Sequence, residues 1–209
     1  GVDSRALYVV QDGQASTLPV HNFRIIMRTS DANRLFQDIN RFSDAYQGAT
    51  VVYDENEAYY DVGMRLKGYS TRKGNDTGFK LSFKADRLFR GVHANVAADR
   101  SGRMMGQTYS NNSQEEIFTK QIANRAGGII GQYDDIVRCI GPSAGYTRSA
   151  LLLMGRYGDE YFDALWADGA AGPAYRLELV YYVTATTDGN PESPKQMPST
   201  ALQGTIQID

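Results

Sequence analysis

The sequence predicts an α+β domain, a mostly antiparallel sheet carrying a few packed helices, and three observations predict it. Residues 59–67 and 79–84 alternate apolar and polar side chains with the period of two that a half-buried strand requires. Residues 30–42 and 113–126 instead repeat apolar side chains at helical spacing. Two further apolar runs, 133–140 and 149–154, flank a Gly141-Pro142 turn as a hairpin-like pair.

Taken in order, residues 20–27 are rich in β-formers and read as a strand. Ser30 or Asp31 then caps a helix carrying Leu35, Phe36, Ile39 and Phe42, which Gly48 closes. Residues 50–53 form a strand and 54–57 a turn. In 59–67, Tyr60, Val62, Met64 and Leu66 share one face, with Arg65 and Lys67 on the other. Residues 68–78 are polar and glycine-bearing, hence a loop with Arg72 and Lys73. The strand at 79–84 turns Phe79, Leu81 and Phe83 inward and Lys80, Ser82 and Lys84 outward. Two neighbouring strands therefore offer Arg65, Lys67, Lys80 and Lys84 beside a glycine loop, on one face if the register allows.

Residues 92–97 form another strand, and 100–112 a polar loop. Ser113 and Glu116 resemble a capping box that starts a helix with Ile117, Phe118, Ile122 and Ala126, stopped by Gly127-Gly128. Residues 159–166 read as a short helix and 173–183 as a strand. The domain thus covers 1–183. Residues 184–209, with Pro191, Pro194 and Pro198, read as a linker with a possible terminal strand.

Composition narrows the function. The chain has 209 residues, with 22 Lys and Arg against 24 Asp and Glu, for a net charge of −2. That balance opposes a general nucleic-acid coat, which needs a basic excess. The longest apolar run, 150–154, is far short of the ~20 residues of a membrane span. Cys139 is the single cysteine, so no intrachain disulfide forms, and it reads as a small buried hydrophobe. Residues 1–5 carry no signal peptide, which fits a cytosolic chain or one already trimmed. Asn75 and Asn111 head N-x-[ST] sequons.

No phosphate loop, dinucleotide fingerprint, nucleophile elbow or zinc-protease motif occurs in the sequence. His21, His93 and Cys139 do not make a structural zinc set. The acidic pairs at 115–116, 134–135 and 159–160 are adjacent in sequence, so their side chains diverge on a strand or a helix. No metal site follows, and no catalytic residue is assigned.

The run Tyr60-Asp-Val-Gly-Met-Arg-Leu-Lys-Gly-Tyr-Ser-Thr-Arg72, followed by Gly78-Phe-Lys-Leu-Ser-Phe-Lys-Ala-Asp-Arg-Leu-Phe-Arg-Gly91, resembles the spore-coat protein H (CotH) kinase family. The segments Val96-Ala-Ala-Asp-Arg-Ser101, Tyr133-Asp-Asp-Ile-Val137, Ala150-Leu-Leu-Leu-Met154 and Tyr175-Arg-Leu-Glu178 follow in the family's order. The resemblance spans about 23–183. It implies an N-terminal portion of an atypical, secreted, protein-kinase-like fold that binds ATP with Mg²⁺ and phosphorylates protein hydroxyls. Lys80 would be the first phosphate contact, with Arg65, Lys67 and Arg72 behind it, neutralising charge beside a glycine loop.

The chain departs from the family pattern at two places. Where the family has Leu-Leu-x-Glu, this chain reads Leu152-Leu-Met-Gly155, so Glu115, Glu116 or Glu178 would orient the lysine. The family's metal-binding and catalytic aspartates come later, in a Trp-x-Asp-type segment, and the only tryptophan here, Trp166, falls too early. The alternative implied is a non-catalytic extracellular or surface module whose partner is a coat or surface assembly protein. Sugar stacking is a third reading, supported by Trp166 and the pairs Tyr59-Tyr60 and Tyr181-Tyr182. Source, substrate and oligomeric state do not follow from the sequence.

Overall fold

A computed structural model describes residues 12–68, 72, 77–99, 114–126, 134–156, 175–178 and 205–208. The expected helix at 159–166, the capping residue Ser113, the loop at 100–112, Lys73 and both sequons lie outside the described residues.

Seven strands close into a barrel in the order β1-β2-β3-β4-β5-β7-β6. They are β1 (His21–Met27), β2 (Gln47–Tyr53), β3 (Glu57–Leu66), β4 (Phe79–Ser82), β5 (Asn95–Asp99), β6 (Asp134–Ile140) and β7 (Ala150–Gly155). Every neighbour pair is antiparallel except β1 with β6, whose parallel pairing joins the two ends of the sheet. A separate antiparallel pair joins β8 (Tyr175–Glu178) to β9 (Thr205–Ile208).

The α+β, kinase-like expectation is overturned. Closure removes the two free edges that an open antiparallel sheet would expose. The described helices are short: α1 (Thr29–Phe36) and α2 (Gln114–Ala126), with a 3-10 turn at Asp38–Asn40. Alternation finds strands, but it cannot show that the first pairs with one more than a hundred residues away.

The inward residues fill the barrel. Phe23, Val51, Met64, Phe79, Leu81, Val96, Ala98, Val137, Cys139, Leu151 and Leu153 are almost wholly buried in one cluster. A seven-stranded barrel is narrow enough for side chains to occupy its interior, so functional surfaces belong on the outer faces and the two ends. At one end Leu35 of α1 is buried in the core cluster, and the ring of Phe36 stacks on that of Tyr146 at 5.7 Å. At the other end Phe89 plugs the opening among Phe23, Tyr53, Tyr59 and Phe83.

A bulge in β3 changes which tyrosine enters the core. Val62 pairs with Ala49 and Tyr59 with Val51, so β3 carries one extra residue between these points. Asp61 takes a left-handed φ of 54° there. Strict alternation places Tyr60 inward with Val62, but the bulge buries Tyr59 and leaves Tyr60 partly exposed. On the outer face of β5 and β7, Ala97, Leu152 and Met154 pack against Ile117 of α2 and Ile136. Phe118 and Ile122, expected on the same helical stripe, are instead exposed.

Candidate functional site

Two regions concentrate polar chemistry. The first is the outer face of β3 and β4, where the sequence places its phosphate-binding candidates. The register sets Arg65 directly opposite Lys80, and the Lys67 amide donates to the Gly78 carbonyl at 2.8 Å. Arg65, Lys67 and Lys80 therefore share one face, which settles the register left open by the sequence. Gly78 is tightly enclosed: a Cβ there would lie 2.6 Å from the Ala98 carbonyl oxygen.

These cations already have partners. Arg65 Nη1 forms an ion pair with the Asp44 carboxylate, and Arg72 Nη2 reaches the same carboxylate at 3.0 Å. Arg72 is buried and also donates to the Ser43 carbonyl. Its neighbour Arg41 donates to the Arg72 carbonyl at 3.1 Å. Lys67 Nζ pairs with Asp99. The Tyr46 ring lies over Gly63, where a Cβ would come within 3.0 Å of it. Arg65 and Lys80 stand 5.6 and 5.9 Å from the centre of that ring. Basic side chains thus pin the segment 41–46 against the barrel wall.

Of the other sequence candidates, Glu116 lies on α2 and Glu178 on β8. The structure does not bring Glu178 into the barrel sheet, since β8 pairs with β9. Lys84, grouped with these cations in the sequence, lies past the end of β4 and is exposed.

The second region, at the Phe89 end of the barrel, was not singled out by sequence reasoning. The β4–β5 connection and the start of β3 border a wide, solvent-open cleft of about 500 Å³ lined by Glu57, Tyr59, Asp86, Arg87, Leu88 and Arg90, among others. Tyr59 Oη donates to Glu57 Oε2 at 2.6 Å and accepts the Arg90 amide at 3.1 Å. Arg90 Nη1 donates to Glu57 Oε1 at 2.8 Å. Burial pushes the Tyr59 phenol above its ordinary pKa, and its bond to Glu57 acts in the same direction.

Arg90 and Gly91 have φ values of 53° and 77°, a left-handed pair that reverses the chain after Phe89. For Arg90, which has a Cβ, that conformation costs on the order of 1 kcal/mol or more. Burial of Phe89, with its amide bonded to the His93 carbonyl at 3.0 Å, holds the turn in place. Arg90 sits over Tyr53 at 5.2 Å and Arg87 over Tyr59 at 5.4 Å. Arg87 Nε donates to the Ala58 carbonyl at 2.9 Å. Tyr53 Oη donates to Asp135 at 3.1 Å, and His21 stands 3.4 Å from Asp54 on the same rim.

The signal for this region was the basic spacing in Asp86-Arg-Leu-Phe-Arg-Gly91. Its meaning depends on the β3 bulge that turns Tyr59 toward it.

Among the described residues, no group of three or more His, Cys, Asp or Glu is placed to hold a metal ion. No described helix is long and apolar enough to cross a membrane. The chain matches no protein-family model and no curated protein.

Proposed function

We propose that this chain is a non-catalytic binding or assembly module, a filled barrel that presents its rim and loops to a protein partner at a cell surface or in an extracellular assembly. The observation that supports this reading is the engagement of the β3–β4 cations by carboxylates. Arg65 and Arg72 converge on Asp44, and Lys67 on Asp99. A nucleotide phosphate at that face would have to displace or approach two negative groups, which raises its electrostatic cost.

A second reading is ATP- and Mg²⁺-dependent phosphorylation of protein hydroxyls, the activity implied by the CotH resemblance. It is favoured by one feature, the alignment of Lys80 with Arg65 and Lys67 on one face beside Gly78. The two readings separate in a calorimetric titration of the full chain with ATP and Mg²⁺, combined with γ-phosphate transfer to protein. The module reading expects no saturable heat and no transfer. Saturable nucleotide binding with transfer that Lys80→Ala abolishes would overturn it. A competent site would also add about 2.7 kcal/mol of stability at a hundred times its Kd.

A further inference from the structure

Arg87, like Arg138, donates its Nε to a backbone carbonyl and has no carboxylate partner among the described residues, but Arg87 is also held by the face of an aromatic ring. Arg24, Arg41, Arg65, Arg72 and Arg90 each contact a carboxylate. Arg87 contacts a neutral carbonyl through Nε and the face of Tyr59, and its two terminal nitrogens have no hydrogen-bond partner among the described residues. Its charge is therefore uncompensated by contact while its guanidinium is held at two points. Such a fork loses little freedom on binding, and it matches the plane and spacing of a carboxylate.

The surroundings favour the same ligand. Glu57, the β3 acid that lines the cleft, has one oxygen on Tyr59 and the other on Arg90, so it is not free to close onto Arg87. Arg90 adds positive charge on the cleft wall, and Leu88 and the Tyr59 ring supply apolar surface. Asp86 also lines the cleft. Its charge opposes a polyphosphate more strongly than a single carboxylate, so the balance favours the latter.

We infer that the cleft between Glu57–Tyr59 and residues 85–91 binds a side-chain carboxylate of an acidic peptide segment, with the terminal nitrogens of Arg87 as the bidentate anchor. This deepens the binding-module reading and rests on it for the kind of partner. Tyr59 is a positioning residue: it holds Arg87 by its ring and Arg90 by its hydroxyl.

The test is a titration of the full chain with acetyl-(Glu)₄-amide, against acetyl-(Gln)₄-amide, followed by calorimetry and by the ¹⁵N resonance of Arg87 Nε. The Glu peptide is expected to bind saturably and shift that resonance, and the Gln peptide to do neither. Losing a charge-assisted bidentate contact in Arg87→Gln should weaken binding about 10- to 100-fold. Arg87→Lys should retain part of the affinity, and Lys80→Ala all of it, while circular dichroism checks that each variant is folded. Absence of saturable binding by the folded wild type at millimolar peptide would overturn the inference. So would undiminished binding by Arg87→Gln, or an equal loss in Lys80→Ala. A parallel arm with ATP and Mg²⁺ keeps the two claims apart. Phosphoryl transfer there would remove the module reading, whereas the peptide arm alone decides the Arg87 site.

Discussion

The β3–β4 face and the Phe89 end of the barrel hold similar side chains in opposite states. On the face, Arg65, Arg72 and Lys67 are tied to Asp44 and Asp99, and the segment 41–46 is strapped to the wall. At the end, Glu57 is engaged by Tyr59 and Arg90, which leaves the terminal nitrogens of Arg87 open beside it. The number of cations on a strand therefore says little about a ligand site. What decides it is whether the nearest carboxylate has already been taken.

The largest break in this comparison should come from Phe89→Ala. The ring is wholly buried against four other aromatic residues, so truncation should cost about 3–5 kcal/mol and loosen the loop that carries Arg87 and Arg90. A urea melt reads the loss, and a change under ~1 kcal/mol would mean that Phe89 is not the plug.

Gly78→Ala should come next, at about 2–3 kcal/mol. Its new methyl would meet the Ala98 carbonyl oxygen at 2.6 Å, and neither backbone can yield cheaply. The Lys67–Asp99 pair ties the end of β3 to β5 beside this glycine, so an effect confined to that pair would show as a shift sensitive to salt.

A pH series sharpens the contrast at the Phe89 end. The Tyr59 pKa is raised in the folded state, so its contribution is complete below the ordinary phenol pKa of about 10 and is lost as pH rises through the folded value. Stability should therefore fall on the alkaline side in the wild type and fall less in Tyr59→Phe, as followed by thermal melts. Identical alkaline limbs would remove Tyr59 from that role.

Lys67→Met should have the smallest effect, about 0–1 kcal/mol, because both partners of its pair are roughly a third exposed. A loss several times larger would make Lys67–Asp99 a principal clamp of the barrel rather than a surface pair.

Much of the strand pattern could be read before any coordinates, because inward Phe79, Leu81 and Phe83 alternate cleanly with outward polar residues. The barrel could not. Its closure rests on the parallel pairing of β1 with β6, where Phe23 meets Cys139, and local alternation carries no trace of a contact so distant in sequence. Whether the candidate cations Arg65, Lys67 and Lys80 share one face is open in the sequence and is set by the β3–β4 register, and their partners are hidden there. Asp44 lies in an irregular segment and Asp99 at the end of β5, at positions that no periodicity marks. Tyr59 was obscured by a single inserted residue: the bulge at Asp61 exchanges it with Tyr60, and with that exchange the Arg87 cleft gains its aromatic wall.

The difference between the two regions is most directly measured by the stability of Asp44→Asn beside that of Arg87→Gln, in urea at neutral pH. Asp44→Asn removes the charge that holds buried Arg72 and Arg65, and should cost about 3 kcal/mol. Arg87→Gln removes an exposed side chain with no carboxylate partner, and should stay within about 0.5 kcal/mol of wild type. Equal losses, or a larger one for Arg87→Gln, would contradict the assignment of one region to structure and the other to binding.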